Sequence, residues 1–369
     1  MKTVFKIAAA TLAAGAVITL AGCGGCAGCN AKTSNNALTS SNWYTGTSYK
    51  GIQPSFIFGD NEDYTKEVVE YAVTHDNTAA TNATYSVEYT NGKFVTEFYA
   101  FRYDWNTNRE YPEDKTEILY RYETELTISV GFTLKSTGEK TNEPLNDRVK
   151  TVAYFRAAGK NLQPVYSRQE ILSHSPAVYQ ASSIDNIYNK VDAVYENFYN
   201  YDCTAVTSIN GDNKDVHDGL DKIGYSVFDN SSLYIAVRSM KLSSKLAQTV
   251  YLYSPAQGSV TSYVLAGTDT PIDASEEKTE LKHITAEMQK HDLFVPAENR
   301  ETVPAVAINV MYAGGTLHGT TQTVWYAAIE NADNNTGRAT MLKLATPLSY
   351  GLGTLNYSLK EIKSTLWNK

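Results

Sequence analysis

The chain has 369 residues, and its 32 basic and 40 acidic residues give it a net charge of −8 at pH 7. This acidic balance excludes nucleic acid as an electrostatically attracted partner, and it argues against docking onto anionic lipid through surface charge alone. Tyrosine is frequent, with 27 residues against 11 phenylalanines and 4 tryptophans. Because tyrosine favours strands and keeps a polar end for a wet face, this composition is typical of an extracellular β protein.

The first 22 residues have the three parts of an export signal. Lys2 and Lys6 make the start positive, and residues 7–20 form an apolar run. The uncharged stretch is short for a membrane span of ~20 residues. The residues around the expected cleavage point are Leu20, Ala21, Gly22 and Cys23.

The motif Leu20-Ala21-Gly22-Cys23 resembles the lipobox of bacterial lipoproteins. This resemblance implies that Cys23 receives a diacylglyceryl group and becomes the first residue after cleavage. Leu20, Ala21 and Gly22 would then be the residues recognised during processing. The mature chain would be attached to a cell membrane through its lipid, facing outside the cytoplasm at the cell surface or in the periplasm. An ordinary signal peptide cut nearby is the alternative.

Three cysteines at the start of the mature chain, Cys23, Cys26 and Cys29, have the spacing of a metal site. Lipidation would consume the first thiol, and the intervening glycines and alanine offer no rigid scaffold. We therefore expect residues 23–50 to be a flexible tether without a metal. Cys203 would be the only cysteine of the folded part, so we expect no disulfide there and predict a buried strand residue.

The remainder divides into two predicted β-rich domains, residues 51–210 and 211–369. In the first, apolar residues at helical spacing predict a short helix over 61–73. The dipeptide Asn91-Gly92 stands between two alternating segments and predicts a type I′ β-hairpin. Residues 116–135 alternate over the length of one long bent strand, in which Gly131 would permit a bulge.

A second helix is predicted over 183–200, where seven apolar residues fall on one helical face. The C-terminal domain should hold a charged helix over 275–291, capped by Asp273 or Ser275. The other predicted elements are strands at 149–156, 203–209, 233–240, 248–253, 259–265, 305–312, 321–329 and 339–344, and a strand or short helix at 351–362.

No residue pattern specifies a catalytic site or a cofactor. The six histidines are scattered, and no G-x-S-x-G or H-E-x-x-H motif occurs. Glu88, Glu97, Asp104 and Glu123 lie on or beside predicted strands, but a carboxylate pair for glycoside hydrolysis depends on a separation in space. We therefore predict no catalytic residues, with an unrecognised hydrolase as one alternative.

The acidic segment 210–221 is a candidate calcium loop because it carries Asp212, Asp215 and Asp218. Calcium loops place oxygen ligands at alternate positions, whereas these aspartates are three apart. Lys214 and Val216 also occupy positions where ligands would be needed. The spacing favours a solvated loop, with calcium binding as the alternative.

The C-terminal half, over residues 225–365, resembles exported β-rich bacterial domains that are similar in outline to lipoprotein-carrier folds. The segments concerned are SLYIAVRSMKL, TVYLY, the Trp325-Tyr326-Ala327 strand and PLSYGLGTLNYSLKEI. Such folds close a curved sheet with helices over an apolar hollow. The resemblance implies a binding shell.

The fold class we predict is mainly β with a few helices (α+β), built on one or two curved antiparallel sheets, of which a half-barrel is one form. The leading functional hypothesis is non-catalytic binding of a lipid or another small apolar ligand. The second hypothesis is carbohydrate or cell-wall binding through exposed aromatic side chains. Its candidate residues are Trp43, Trp105, Trp325 and Trp367.

Overall fold

The computed structural model describes residues 67–104, 109–110, 117–158, 161–220, 227–238, 240, 242, 244–268, 272–273, 302–303, 305–312, 321–327 and 340–364. Most of these residues are in strands, which confirms the mainly β fold class. One short α-helix and three 3-10 turns are the helical elements of this part of the chain. The elements are β1 (Glu67–Asp76), β2 (Tyr85–Asp104), β3 (Arg109–Glu110), β4 (Glu117–Leu134), β5 (Leu145–Ala158), β6 (Asn161–Pro176), β7 (Tyr188–Tyr199), β8 (Ala205–Asn210), β9 (Asn213–Asp218), β10 (Val227–Asp229), α1 (Leu233–Arg238), β11 (Ala247–Ser254), β12 (Ser259–Thr268), β13 (Ile272–Asp273), β14 (Thr302–Val303), β15 (Ala305–Tyr312), β16 (Gln322–Ala327), β17 (Met341–Pro347) and β18 (Thr354–Ser364).

A single open sheet of 16 strands contains all of these strands except β13 and β14, which pair with each other. Its order is β10-β11-β12-β15-β16-β17-β18-β1-β2-β4-β5-β6-β7-β8-β9, with β3 paired to β2. The described pairings are antiparallel, apart from the parallel pair β10–β11. Strand β1 lies between β18 and β2, so the first and last described strands are neighbours.

The sheet is strongly curved. Strands β11 and β7 lie eleven positions apart in the order, which would separate them by about 50 Å in a flat sheet. Instead, the rings of Tyr253 on β11 and Tyr199 on β7 are 6.2 Å apart. The two ends of the sheet therefore approach each other, and one face of the sheet is enclosed.

Alternation along the strands separates the enclosed face from the outer face. In β4, Tyr122, Leu126 and Val130 are buried in the main core, while Arg121 and Glu123 are partly exposed on the opposite face. This period of two is the expected pattern of an antiparallel sheet with one wet face. Strand β4 also confirms the long strand that the sequence predicts over 116–135.

The segment from β10 through α1 packs against the enclosed face. All six residues of α1 are buried, and Leu233, Ile235 and Val237 belong to the main core cluster. The sequence prediction of a strand over 233–240 is wrong at α1. A short apolar run does not distinguish a buried helix from a buried strand, and no polar face marks this helix.

The predicted hairpin at Asn91-Gly92 is wrong, because β2 continues through both residues. Thr90 pairs with Ser129 and Lys93 pairs with Thr127, so two residues of β2 stand opposite one residue of β4. Asn91 has a φ of 54°, which the dipeptide accommodates in a bulge as readily as in a turn. The bulge predicted at Gly131 is also wrong, since Gly131 pairs in register with Glu88.

The two predicted helices within the described residues are both strands. Residues 183–200 contain a 3-10 turn at Ile184–Asn186 followed by β7, and residues 61–73 overlap β1. Both segments are rich in tyrosine and valine, and both are hydrogen-bonded to strands on either side. Strand pairing thus overrides an apolar period that also fits a helix. The predicted helix over 275–291 lies outside the described residues.

Candidate functional site

A straight row of partly exposed rings crosses the outer face of the sheet. Tyr99 pairs with Arg121, Arg121 with Tyr154, Tyr154 with Tyr166, and Tyr166 with Phe198. Direct cross-strand pairing places all five side chains on one face and at one level along the strands. We call this set the tyrosine row; it consists of Tyr99, Arg121, Tyr154, Tyr166 and Phe198, on β2, β4, β5, β6 and β7.

The members of the tyrosine row are in contact with one another. The rings of Tyr154 and Tyr166 are 5.1 Å apart, and those of Tyr166 and Phe198 are 5.2 Å apart. The guanidinium carbon of Arg121 lies 5.6 Å from the ring centroid of Tyr99 and 5.8 Å from that of Tyr154. These distances are within cation–π range, so Arg121 continues the row between two rings.

Charged side chains run parallel to the tyrosine row, two residues further along the strands. We call Glu97, Glu123, Arg168 and Glu196 the charged row; Glu97 pairs with Glu123, and Arg168 pairs with Glu196. Arg168 Nη1 lies 3.0 Å from Glu196 Oε1, and the Tyr166 hydroxyl donates to the same oxygen over 3.0 Å. The charged row is therefore linked to the tyrosine row by hydrogen bonds.

Glu123 is held in its ionised form. Arg121 Nη2 lies 2.6 Å from its carboxylate and Lys150 Nζ lies 2.5 Å from it. Burial raises the pKa of Glu123, but the hydrogen bonds from Lys150 and Arg121 outweigh burial and leave the pKa below its usual value. An ionised carboxylate accepts hydrogen bonds well and is a poor proton donor, which suits binding better than general acid catalysis.

The enclosed face contains a buried carboxylate, Asp229, at the end of β10. Its side chain accepts hydrogen bonds from Ser167 Oγ at 2.5 Å, Tyr199 OH at 2.7 Å and Ser231 N at 2.9 Å, and from the Ser231 hydroxyl. Asn197 Nδ2 donates to Ser167 Oγ over 2.8 Å. These bonds attach the start of the α1 segment to β6 and β7, and they compensate for the burial of the charge.

The other end of α1 is attached by a buried ion pair. Arg238 Nη1 and Nη2 donate to Glu67 Oε1 and Oε2 over 2.6 and 2.9 Å. Both side chains are less than a tenth exposed. The bidentate geometry satisfies both charges in the core, so the pair fixes α1 on β1.

A second buried pair joins β5 to β6. Asp147 accepts hydrogen bonds from the backbone N–H of His174 at 3.0 Å, and its Oδ1 lies 2.7 Å from Nδ1 of the same residue. Burial raises the pKa of Asp147, although His174 opposes this shift. The His174 ring packs edge-on against Tyr188, with centroids 5.5 Å apart. This arrangement is that of a structural pair between strands.

The structure places one of the four candidate tryptophans. Trp325 on β16 is only 8% exposed, and Lys343 Nζ lies 5.9 Å from its ring. The prediction that Trp325 forms an exposed ligand face is therefore wrong for this residue. The other three candidate tryptophans and the lipobox residues lie outside the described residues: Trp43, Trp105, Trp367, Leu20, Ala21, Gly22 and Cys23.

The three candidate calcium ligands are spread along the β8–β9 hairpin. Asp212 lies in the turn, and Asp215 and Asp218 lie three residues apart on β9, where alternation directs their side chains to opposite faces. Within the described ranges, no group of three or more histidine, cysteine, aspartate or glutamate residues is placed to hold a metal ion. In the same ranges no helix is long and apolar enough to cross a membrane.

Cys203 lies in the turn before β8, not within a strand as predicted. Its φ is 54°, and its thiol donates to the carbonyl oxygen of Pro164 over 3.3 Å. Burial raises the pKa of the thiol to about 11. The side chain is thus a poor nucleophile at neutral pH.

The tyrosine row was missed because its members are far apart in the sequence. Tyr99 and Phe198 are separated by almost a hundred residues and are brought together only by the register of four successive strand pairs. The one signal available in the sequence is the excess of tyrosine in alternating segments.

Comparison with known proteins returned no family model, no curated protein and no solved structure that matches this chain.

Proposed function

We propose that this chain is a lipid-anchored binding protein outside the cytoplasm, which holds a carbohydrate ligand on the tyrosine row without turning it over. The observation that carries the proposal is the row of partly exposed rings, with Arg121 between two of them, beside paired charges on the outer face. Sugars present apolar C–H faces and hydroxyl edges together. A surface that combines aromatic rings with hydrogen-bonding charges complements both.

The lipobox supports the proposed attachment to a membrane. With Cys23 lipidated, the ligand-binding sheet would be attached to the membrane through the tether over residues 23–50. Removal of residues 1–22 leaves 30 basic against 40 acidic residues. Attachment would therefore depend on the covalent lipid rather than on surface charge. Metabolic labelling with an alkyne fatty acid should mark the wild-type chain and leave Cys23→Ala unlabelled.

Binding of a lipid or another apolar ligand on the enclosed face is the alternative. The half-barrel form expected from the sequence favours it, because a strongly curved sheet encloses apolar side chains. The α1 segment packs on that face, however, and is attached at both ends through Asp229 and Arg238. An apolar ligand would have to displace α1. Stoichiometric acyl ligands in organic extracts of the purified protein, detected by mass spectrometry, would favour this alternative.

A pull-down on insoluble polysaccharides tests the carbohydrate proposal. The full chain in detergent is incubated with cellulose, chitin, xylan, starch and peptidoglycan, beside Tyr154→Ala and the control Tyr179→Ala. Tyr154 is central in the row, whereas Tyr179 is an exposed tyrosine outside it. We expect retention on at least one polysaccharide that Tyr154→Ala loses and Tyr179→Ala keeps. Retention on none of them, or equal retention of both variants, would refute the proposal.

A further inference from the structure

We propose that the ligand of the tyrosine row is a neutral, linear polysaccharide that lies across the strands. This inference rests on the proposed function, because it names the ligand class of the same site. It depends on three properties of the row: its length, its relation to the charged row and its charge balance.

The length of the row fits a chain of sugars better than a single sugar. The row crosses five adjacent strands, and four steps of ~4.8 Å give it a length of about 19 Å. Ring centres 5.1 and 5.2 Å apart join Tyr154, Tyr166 and Phe198, and Arg121 fills the position between Tyr154 and Tyr99. A monosaccharide would cover one or two positions only. A ligand with a repeating unit can engage Tyr99 at one end and Phe198 at the other.

The charged row runs alongside at the next position on the same face, about 7 Å away along the strands. Glu123 therefore lies beside Arg121 and Arg168 lies beside Tyr166, while Val152 of β5 lies beside Tyr154 and between the two charged residues. A sugar chain lying on the rings would direct its hydroxyl edge toward these groups. The site is thus a strip of two parallel rows, one mainly aromatic and the other with charged residues on both sides of Val152.

The cations of this strip are each paired with a carboxylate. Arg121 and Lys150 pair with Glu123, and Arg168 pairs with Glu170 at 2.9 Å as well as with Glu196. An acidic polymer would have to compete with these carboxylates for the three cations. It would also meet repulsion from the same carboxylates, so the charge balance favours an uncharged ligand.

Calorimetric titration of the full chain in detergent tests this inference. The probes are cello-, xylo- and malto-oligosaccharides from disaccharide to hexasaccharide, with oligogalacturonates of the same lengths as acidic counterparts. For one neutral series we expect affinity to rise roughly tenfold or more from disaccharide to hexasaccharide, as further rings are engaged. Tyr99→Ala and Phe198→Ala, at the two ends of the row, should weaken hexasaccharide binding more than disaccharide binding, whereas Tyr179→Ala, outside the row, should leave both unchanged.

Each contrary result has a distinct meaning. Equal affinity for disaccharide and hexasaccharide would refute a polymeric ligand. Tighter binding of oligogalacturonates than of the neutral oligosaccharides would refute a neutral ligand. Either result would leave the proposed function standing. Absence of binding in every series, together with no retention in the pull-down, would refute the proposed function itself. Circular dichroism checks that each variant is folded, and Phe198→Leu, which keeps apolar bulk without the ring, replaces Phe198→Ala if that variant unfolds.

Discussion

At the scale of single residues, the ion pair between Arg238 and Glu67 carries a desolvation cost, because both charges are buried in the core. Two charges buried in an apolar setting are tolerated because each satisfies the other through two hydrogen bonds. Removing one charge leaves the other buried without this bidentate ion pair, and this costs more than replacing both charges.

We predict that Glu67→Gln lowers the free energy of unfolding by about 3–5 kcal/mol, because Arg238 stays buried without its counter-charge. Urea denaturation followed by circular dichroism measures the loss. The double variant Glu67→Gln with Arg238→Met should be less destabilised than Glu67→Gln alone. If the loss in the double variant equals the sum of the losses in Glu67→Gln and Arg238→Met, the pair contributes no coupling energy.

Glu70 provides a prediction on pH dependence. Hydrogen bonds from Lys360 at 2.7 Å and Lys93 at 2.8 Å lower its pKa from 4.5 to about 2. A carboxyl group whose pKa is lowered by folding stabilises the protein fully above its unfolded pKa. That contribution is lost as the pH falls from about 4.5 through about 2.

We therefore expect Glu70→Gln to reduce the slope of unfolding free energy against pH between about 4.5 and 2. The slope is measured by urea denaturation at a series of pH values. Glu139→Gln, at an exposed position after the turn that follows β4, is the matched control for removal of a surface carboxylate. An unaltered slope in Glu70→Gln would show that the lysines do not stabilise the ionised form.

At the scale of elements, the bulge in β2 depends on Gly92. A β-carbon at this position would lie 2.5 Å from the carbonyl oxygen of Val73 and 2.7 Å from its Cβ. The neighbouring backbone of β1 cannot move away without breaking its pairing with β18. Only glycine permits this close approach of the two strands.

We predict that Gly92→Ala destabilises the protein by about 1–3 kcal/mol through this overlap. Gly131→Ala on β4 is the control, since the nearest atom to its β-carbon would be Thr141 Oγ1 at 3.9 Å. That substitution should be neutral or slightly stabilising, because alanine costs less conformational entropy than glycine in a strand. The difference is measured from the midpoints of urea unfolding of the two variants. Equal midpoints would contradict the prediction that only Gly92→Ala destabilises the protein.

The elements also show how far the sequence predicts this fold. Alternation predicted β4, β11 and β12, as well as the strand class of the whole chain, because each of these strands has one buried and one wetter face. It failed at β7, where tyrosine and valine residues satisfy two periods at once. It also failed at α1, which is buried on all sides. In both cases partners distant in the sequence decide the conformation.

The candidate site was beyond sequence reasoning for a related reason. The carbohydrate hypothesis from the sequence names four tryptophans as exposed aromatic residues, yet Trp325 is buried. The tyrosine row exists only through the registers of β2, β4, β5, β6 and β7, and a bulge between Tyr154 and Phe155 is part of the β5–β6 register. The composition indicates strands rich in aromatic residues, but it does not indicate which tyrosines lie opposite each other on neighbouring strands.

At the scale of the whole molecule, β1 joins the two parts of the chain that the sequence suggested as separate domains, residues 51–210 and 211–369. It pairs with β2 on one side and with β18 on the other. The Tyr71 hydroxyl donates to the carbonyl oxygen of Met341 over 3.0 Å, and the rings of Phe94 and Tyr357 are 5.5 Å apart. One core therefore crosses the proposed boundary, which favours unfolding as a single cooperative unit.

We predict that hydrogen exchange in increasing urea exposes β4–β6 and β15–β17 at the same midpoint, read by mass spectrometry of their peptides. Tyr71→Ala, which removes a buried ring from β1, should lower both midpoints equally, by an amount corresponding to about 3–5 kcal/mol. Val216→Ala on the exposed strand β9 is the control and should move neither. Separate midpoints, or a shift confined to one set of peptides, would mean that 51–210 and 211–369 unfold independently and that pairing through β1 does not couple them.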